Sequence, residues 1–336
     1  MRTPDFENIL AVLNNGKSKR ATLFEFFLNE NLIRKLAKAP SDIPIEWGEC
    51  TPVVAEAFKN GGYDYATVLG CNIHFTPIIK HDKATVSLNE SHYIYDRKSF
   101  ENYDWPDPET SDYSRLANAQ TFLPPGMKLI VHGRGGVLEN VIRLTGYDNL
   151  CMMLMDDPQL VEDLFAAVGK RYLRYYEIAS GFKTVGALMV NDDWGFKTQT
   201  MLSPDDLRKY VTGWHKKIVE SIHKSNKPAI LHCCGQLDLV MDDIIDFIGY
   251  DAKHSFEDSI ISVEEAYAKW GKRIAILGGI DLDFICRADK KTIKDRCRKM
   301  LALSSQRGGY ALGTGNSIPT YVPDDNYFAM TSTVFE

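Results

Sequence analysis

Apolar residues recur at helical spacing in two stretches near the start of the chain, Phe6 to Leu13 and Glu30 to Ala39, and Pro40 stops the second. Residues 1–60 therefore predict a helical layer. The pattern then changes. Short apolar runs, too short for helices, occur at Tyr63–Gly70, Met127–Gly133, Gly186–Val190, Lys227–Leu231, Tyr250–Glu257, Ile274–Leu277 and Gly309–Leu312, and each reads as a buried strand or a strand with its exit. Helical patterns separate them, through Leu138–Leu144, Pro158–Ser180 and onward from Ser203, which can cap the helix that Pro204 begins. Alternating positions at Ala84–Leu88 and His92–Tyr95 predict a β-hairpin inserted after an early strand, followed by a polar, Pro-containing loop over residues 103–114.

Strands alternating with helices imply a parallel sheet, either open or closed. Nearly every strand from residue 186 onward ends in glycine plus a polar or ligand-type side chain. A closed barrel brings all strand C-termini to one face, whereas an open sheet gathers such residues only at its switch point. The expectation is an α/β fold: one TIM (β/α)8 barrel domain over residues 1–336, with its helical extension at 1–60 and the barrel proper at 61–336. No Gly-x-Gly-x-x-Gly follows an early strand, which argues against a nicotinamide-binding domain.

Composition narrows the function. The net charge is −6, from 39 Lys and Arg against 45 Asp and Glu, which disfavours a nucleic-acid partner. No run reaches the roughly 18 apolar residues of a membrane span. The N-terminus has no apolar signal core, so the expected location is cytoplasmic and membrane-free. Seven cysteines, an odd number, fit a reducing compartment.

The chemistry concentrates at strand ends. In Leu231-His232-Cys233-Cys234-Gly235, side chains two apart on an extended segment share a side, so His232 and Cys234 face one cavity and Cys233 the other. An imidazole and a thiolate suit zinc. A third ligand must come from another strand end; Asp193 and Glu257 are candidates, with Glu257 taken as the ligand and Asp192, Asp193 and Asn316 as the catalytic set. Trp194, His254, Phe256, Asp281 and Tyr310 are expected to line the substrate. Two satisfied residues at a strand end, helix-entry acids and core aromatics are the bland alternatives to these roles.

The order Asn191-Asp192-Asp193-Trp194-Gly195, Leu202-Ser203-Pro204, His232-Cys233-Cys234-Gly235, Gly278-Gly279-Ile280-Asp281 and Gly315-Asn316-Ser317-Ile318-Pro319 resembles the uroporphyrinogen decarboxylase superfamily from about residue 125 to 330. The resemblance implies a TIM barrel and one of two chemistries: metal-free decarboxylation, or zinc-dependent methyl transfer involving a corrinoid protein. The decarboxylases carry an Arg-Gln-Ala-Gly-Arg-Tyr-like N-terminal segment that this chain lacks; Lys17, Lys19 and Arg20 do not have its spacing. The methyltransferases carry His-x-Cys-Gly, matching His232, Cys234 and Gly235, but Asn316 stands where their third zinc ligand, a cysteine, belongs. The resemblance thus implies a methyltransferase working on a small methylated substrate, with zinc and a corrinoid on a partner protein. The alternatives are a decarboxylase using Asp64, Asp192 or Asp193 as its acid, and a barrel that only binds a ligand.

Overall fold

The computed structural model describes residues 2–76, 87–89 and 92–336. Seven strands form one parallel sheet in chain order: β1 (Tyr65–Leu69), β2 (Lys128–His132), β3 (Val185–Asn191), β4 (Ala229–His232), β5 (Ala252–His254), β6 (Ala275–Leu277) and β7 (Tyr310–Ala311). Five fall within a run that the apolar pattern marks, while β3 overruns its run by one residue at each end and β4 by one residue, His232. The strands are buried almost throughout because helices cover their outer faces and packed side chains fill the interior.

Three helices precede or lead into β1: α1 (Phe6–Leu13), α2 (Glu30–Ala37) and α3 (Pro52–Gly61). Between α1 and α2 the chain does something the helical pattern does not announce. Thr22–Phe26 lies between β7 and β1, with Leu23 bridged in parallel to Leu312 and β1 reached through the Tyr65 side chain. Phe24 N donates to Leu312 O and Leu312 N to Thr22 O, both at 2.8 Å. On the other side, the Tyr65 hydroxyl of β1 donates to Glu25 O at 2.8 Å and accepts from Glu25 N at 2.7 Å. This segment is the eighth stave.

Gly313 makes that approach possible. A Cβ there would lie 1.7 Å from Phe24 O. Gly313→Ala should therefore push the stave off β7 and lower the unfolding free energy by about 1–3 kcal/mol, the usual cost of overpacking. Urea denaturation against wild type measures this, and an unchanged midpoint would contradict it.

The expected hairpin is not reproduced where it can be seen. Residues 84–86 of its first arm lie outside the described residues. His92–Tyr95 forms no strand, because the Tyr93 and Ile94 amides both donate to Leu144 O at the end of helix Val137–Thr145. Among the described residues, no helix is long and apolar enough to cross a membrane.

Candidate metal centre

Strand register brings the site together. Asn191, His232 and His254 sit side by side at the ends of β3, β4 and β5. Past β4 the alternation expected from the sequence holds. Cys233 is fully buried away from the site, while Cys234 returns to the side of His232. Gly235 then turns at φ +91°, and a Cβ there would lie 2.2 Å from the backbone of Gly195. The exits of β3 and β4 can touch only because both residues are glycine.

That contact carries Asp193 to the cysteine. Its Oδ1 accepts from Cys234 N at 2.8 Å. The ligand atoms of Asp193, His232 and Cys234 all lie within 4.8 Å of one another. His232 Nε2 and Cys234 Sγ are 3.8 Å apart, close to the ~3.6 Å expected for a nitrogen and a sulfur sharing a tetrahedral zinc. Ser255 Oγ and Asn316 Nδ2 also approach the sulfur, at 3.4 and 3.5 Å.

The donor chemistry fits a cation. Burial pushes the His232 imidazole down to about 3, which keeps it neutral, as a ligand must be. Burial pushes both the Cys234 thiol and the Asp193 carboxyl up, because their charged forms have lost water. A bound cation would offset that loss. One nitrogen, one sulfur and one oxygen make a set that zinc accepts.

Hydrogen bonds also decide which imidazole nitrogen is presented. His254 Nε2 lies 3.1 Å from Thr314 O, a carbonyl that can only accept, so this nitrogen carries the proton. His254 Nδ1 is then an acceptor, and it lies 2.8 Å from His232 Nδ1. His232 must donate there, which leaves its Nε2 lone pair facing Cys234. Phe24 and Phe26 of the eighth stave hold the two rings, with centroids 5.2 Å from His254 and 4.7 Å from His232.

A cleft of about 800 Å³ opens beside this group, lined by Phe256, Glu257, Asp281, Gly315 and Asn316 among others. Asn316 belongs both to the cleft wall and to the shell around the sulfur. Phe256 lines the cleft, with the Lys253 ammonium 4.3 Å from its ring. Several other expected roles need correction. Glu257 reaches the cleft but stands outside the three-ligand group, where Asp193 takes its place. Asp192 is not catalytic in position: it is fully buried and accepts from Leu138 N, Glu139 N, Trp194 Nε1 and His215 Nε2. Trp194, fully buried and bonded to that carboxylate, cannot wall a substrate. His254 lies behind His232 rather than against the cleft. Asp281 caps helix Leu282–Arg287 through Phe284 N at 3.0 Å, although it also lines the cleft. Tyr310 sits at the start of β7, donates to Gly278 O and packs near Tyr267 of helix Val263–Trp270.

Sequence reasoning missed Glu25, Thr314 and Lys253. Lys253 is buried in β5 and donates to Cys233 O and Ser255 O at 3.2 and 2.7 Å. Burial lowers its pKa, and its charge favours the ionised forms of Asp193 and Cys234. A lysine inside a predicted strand was the available signal. For Glu25 it was a lone acid among Leu23, Phe24, Phe26 and Phe27.

A parallel barrel with its polar groups at the strand exits defines the class of protein. The family model described as uroporphyrinogen decarboxylase (URO-D) matches residues 115–336, and the chain belongs to that family. It is similar to the uroporphyrinogen decarboxylase of Geobacter sulfurreducens, with 26% identity over 151 residues, covering 44% of this chain and 41% of that protein. Against the uroporphyrinogen decarboxylase of Carboxydothermus hydrogenoformans the identity is 25% over 192 residues, covering 55% of this chain and 51% of the relative. The chain thus spans about half or less of the length of these curated relatives. Among solved structures, a methyltransferase from Methanosarcina mazei superposes with a TM-score of 0.73 at 15% identity, over 99% of both chains. That likeness establishes the TIM-barrel fold.

Proposed function

We propose that this protein is a methyltransferase that moves a methyl group between a small methylated substrate and a corrinoid protein or thiol acceptor, at a zinc site formed by Asp193, His232 and Cys234. The observation that supports this reading most is the nitrogen, sulfur and oxygen group at the strand ends, beside a cleft large enough for a small molecule. Zinc would supply Lewis acidity, activating a thiol or polarising an oxygen of the substrate. The residues of this chain orient and insulate. His254 holds the His232 ring, and Lys253 balances the negative charge of Asp193 and Cys234. Asn316 offers its amide to the sulfur from the cleft side.

The decarboxylase reading loses two of its three acids. Asp64 is tied to Arg20 and to Asp5 N just ahead of β1, at the end of the barrel away from the strand exits. Asp192 is held by four donors.

The test is zinc content together with methyl transfer to a reduced corrinoid. Wild type should hold one zinc per chain. Cys234→Ala should lose it and reduce methyl transfer by more than about 100-fold, since losing a ligand costs more than losing the partner of one. Negligible zinc in wild type would overturn the metal assignment, and turnover of uroporphyrinogen would overturn the choice of reaction.

A further inference from the structure

We propose that Glu25 is a positioning residue for the candidate metal centre: held as a neutral carboxylic acid, it fixes Thr314, whose hydroxyl holds Asn316 and whose carbonyl orders the protons of His254 and His232. The inference rests on the reading of Asp193, His232 and Cys234 as a cation site, and it brings a residue of the eighth stave into that site.

The argument is one of donor supply. Glu25 is fully buried. Its Oε1 accepts from Thr314 N at 2.9 Å, and its Oε2 lies 2.5 Å from Thr314 Oγ1. The same Thr314 hydroxyl makes a short hydrogen bond to Asn316 O. A hydroxyl has one proton, and a backbone carbonyl can only accept. The Thr314 proton therefore goes to Asn316 O, and the proton between Glu25 and Thr314 comes from Glu25. An ionised Glu25 would claim the Thr314 proton and leave Thr314 Oγ1 and Asn316 O as two acceptors in contact.

The backbone of Thr314, which Glu25 holds in place, sets a second order. Its carbonyl takes the Nε2 proton of His254, and His254 Nδ1 takes the proton of His232 Nδ1. One residue thus braces both halves of the site: His232 through Thr314 and His254, and Asn316 through the Thr314 hydroxyl. The surroundings agree. Burial pushes the Glu25 carboxyl up to about 8. The titratable groups that face it are Tyr63 and Tyr65 near β1, Tyr310 in β7 and Tyr327 in helix Asp324–Ser332. Burial raises each of those phenols too, and no cation bonds Glu25 among the described residues.

The experiment uses full-length protein labelled with ¹⁵N-histidine. In the metal-free state, long-range proton–nitrogen spectra should show His232 protonated on Nδ1 and His254 on Nε2. Zinc titration then reads the consequence. Glu25→Ala removes both the donor and the acceptor, and should weaken zinc binding about 10- to 100-fold. Glu25→Gln can donate and accept in the same places, so it should restore affinity to within a few-fold of wild type at pH 7. Raising the pH from 7 to 9 should weaken wild type about 10-fold more than Glu25→Gln, because only the carboxyl can ionise. Protonation of His232 on Nε2 would overturn the proposal. So would a Glu25→Gln variant that folds but behaves like Glu25→Ala. Absence of zinc binding by wild type would defeat the metal reading, and the histidine proton positions would still decide the hydrogen-bond order.

Discussion

Asp192→Ala is expected to cost about 3–5 kcal/mol of stability, the range for leaving the partners of a buried charge uncompensated. Asp192 closes the N-terminus of helix Val137–Thr145. The residue before that helix, Gly136, has no side chain to cap it. Asp192 reaches across from the exit of β3 instead, taking Leu138 N at 3.0 Å and Glu139 N at 2.9 Å. The gap it fills exists because Gly136 lacks a Cβ, which would lie 2.1 Å from the Asp192 Cβ. A carboxylate at a helix N-terminus also meets the positive end of the helix dipole. Trp194 Nε1 and His215 Nε2 complete the shell, both at 2.9 Å. Alanine leaves all four donors without an acceptor and without water. Asparagine keeps one acceptor oxygen and should lose less. Urea denaturation gives the stabilities. Zinc bound per folded molecule should not change, and a selective loss of zinc or of turnover with wild-type stability would return Asp192 to the catalytic set.

Glu25→Gln should become more stable relative to wild type as pH rises. An unfolded glutamate ionises near 4.5, whereas burial holds the native carboxyl protonated up to about 8. Between these values unfolding releases a proton, so wild-type stability falls as pH increases. The slope is about 1.4 kcal/mol per pH unit, and the whole window is worth on the order of 5 kcal/mol. The term is fully favourable to wild type below about pH 4.5, shrinks through neutrality and levels off above about pH 8. Glutamine has no such term. Groups common to both proteins cancel in the difference, so unfolding free energies of the pair at pH 5, 6, 7 and 8 isolate it. Parallel curves would show that Glu25 is already ionised in the native protein.

The seven hydrogen-bonded strands were legible because buried parallel strands are short apolar runs with turn signals at their ends. The pairing of His232 with Cys234 was legible because period-two alternation is local. Asp192 and Asp193 were not separable on the same grounds. Both follow β3, and only the contact between Gly195 and Gly235 settles which one meets the cysteine. His254 was found at a strand end, but its partner depends on the register between β4 and β5, which no single segment encodes. Tyr310 was expected near a strand end, and it begins the two-residue β7 with its hydroxyl on Gly278 O. Thr22–Phe26 was hidden among helices because an aromatic run without alternation has no period of its own.

That eighth stave also sets a clock on assembly. Glu25 and Thr314 are 289 residues apart in the chain, and their contact braces the site. Long-range contacts of this kind come late in folding, after the loop between them has been closed. On a ribosome making about 5–20 residues per second, Glu25 would wait some tens of seconds for its partner. Until then the nascent chain could hold His232 and Cys234 near each other, but without the order that points a lone pair at the cleft. Competence to load metal would thus arrive with the last strand.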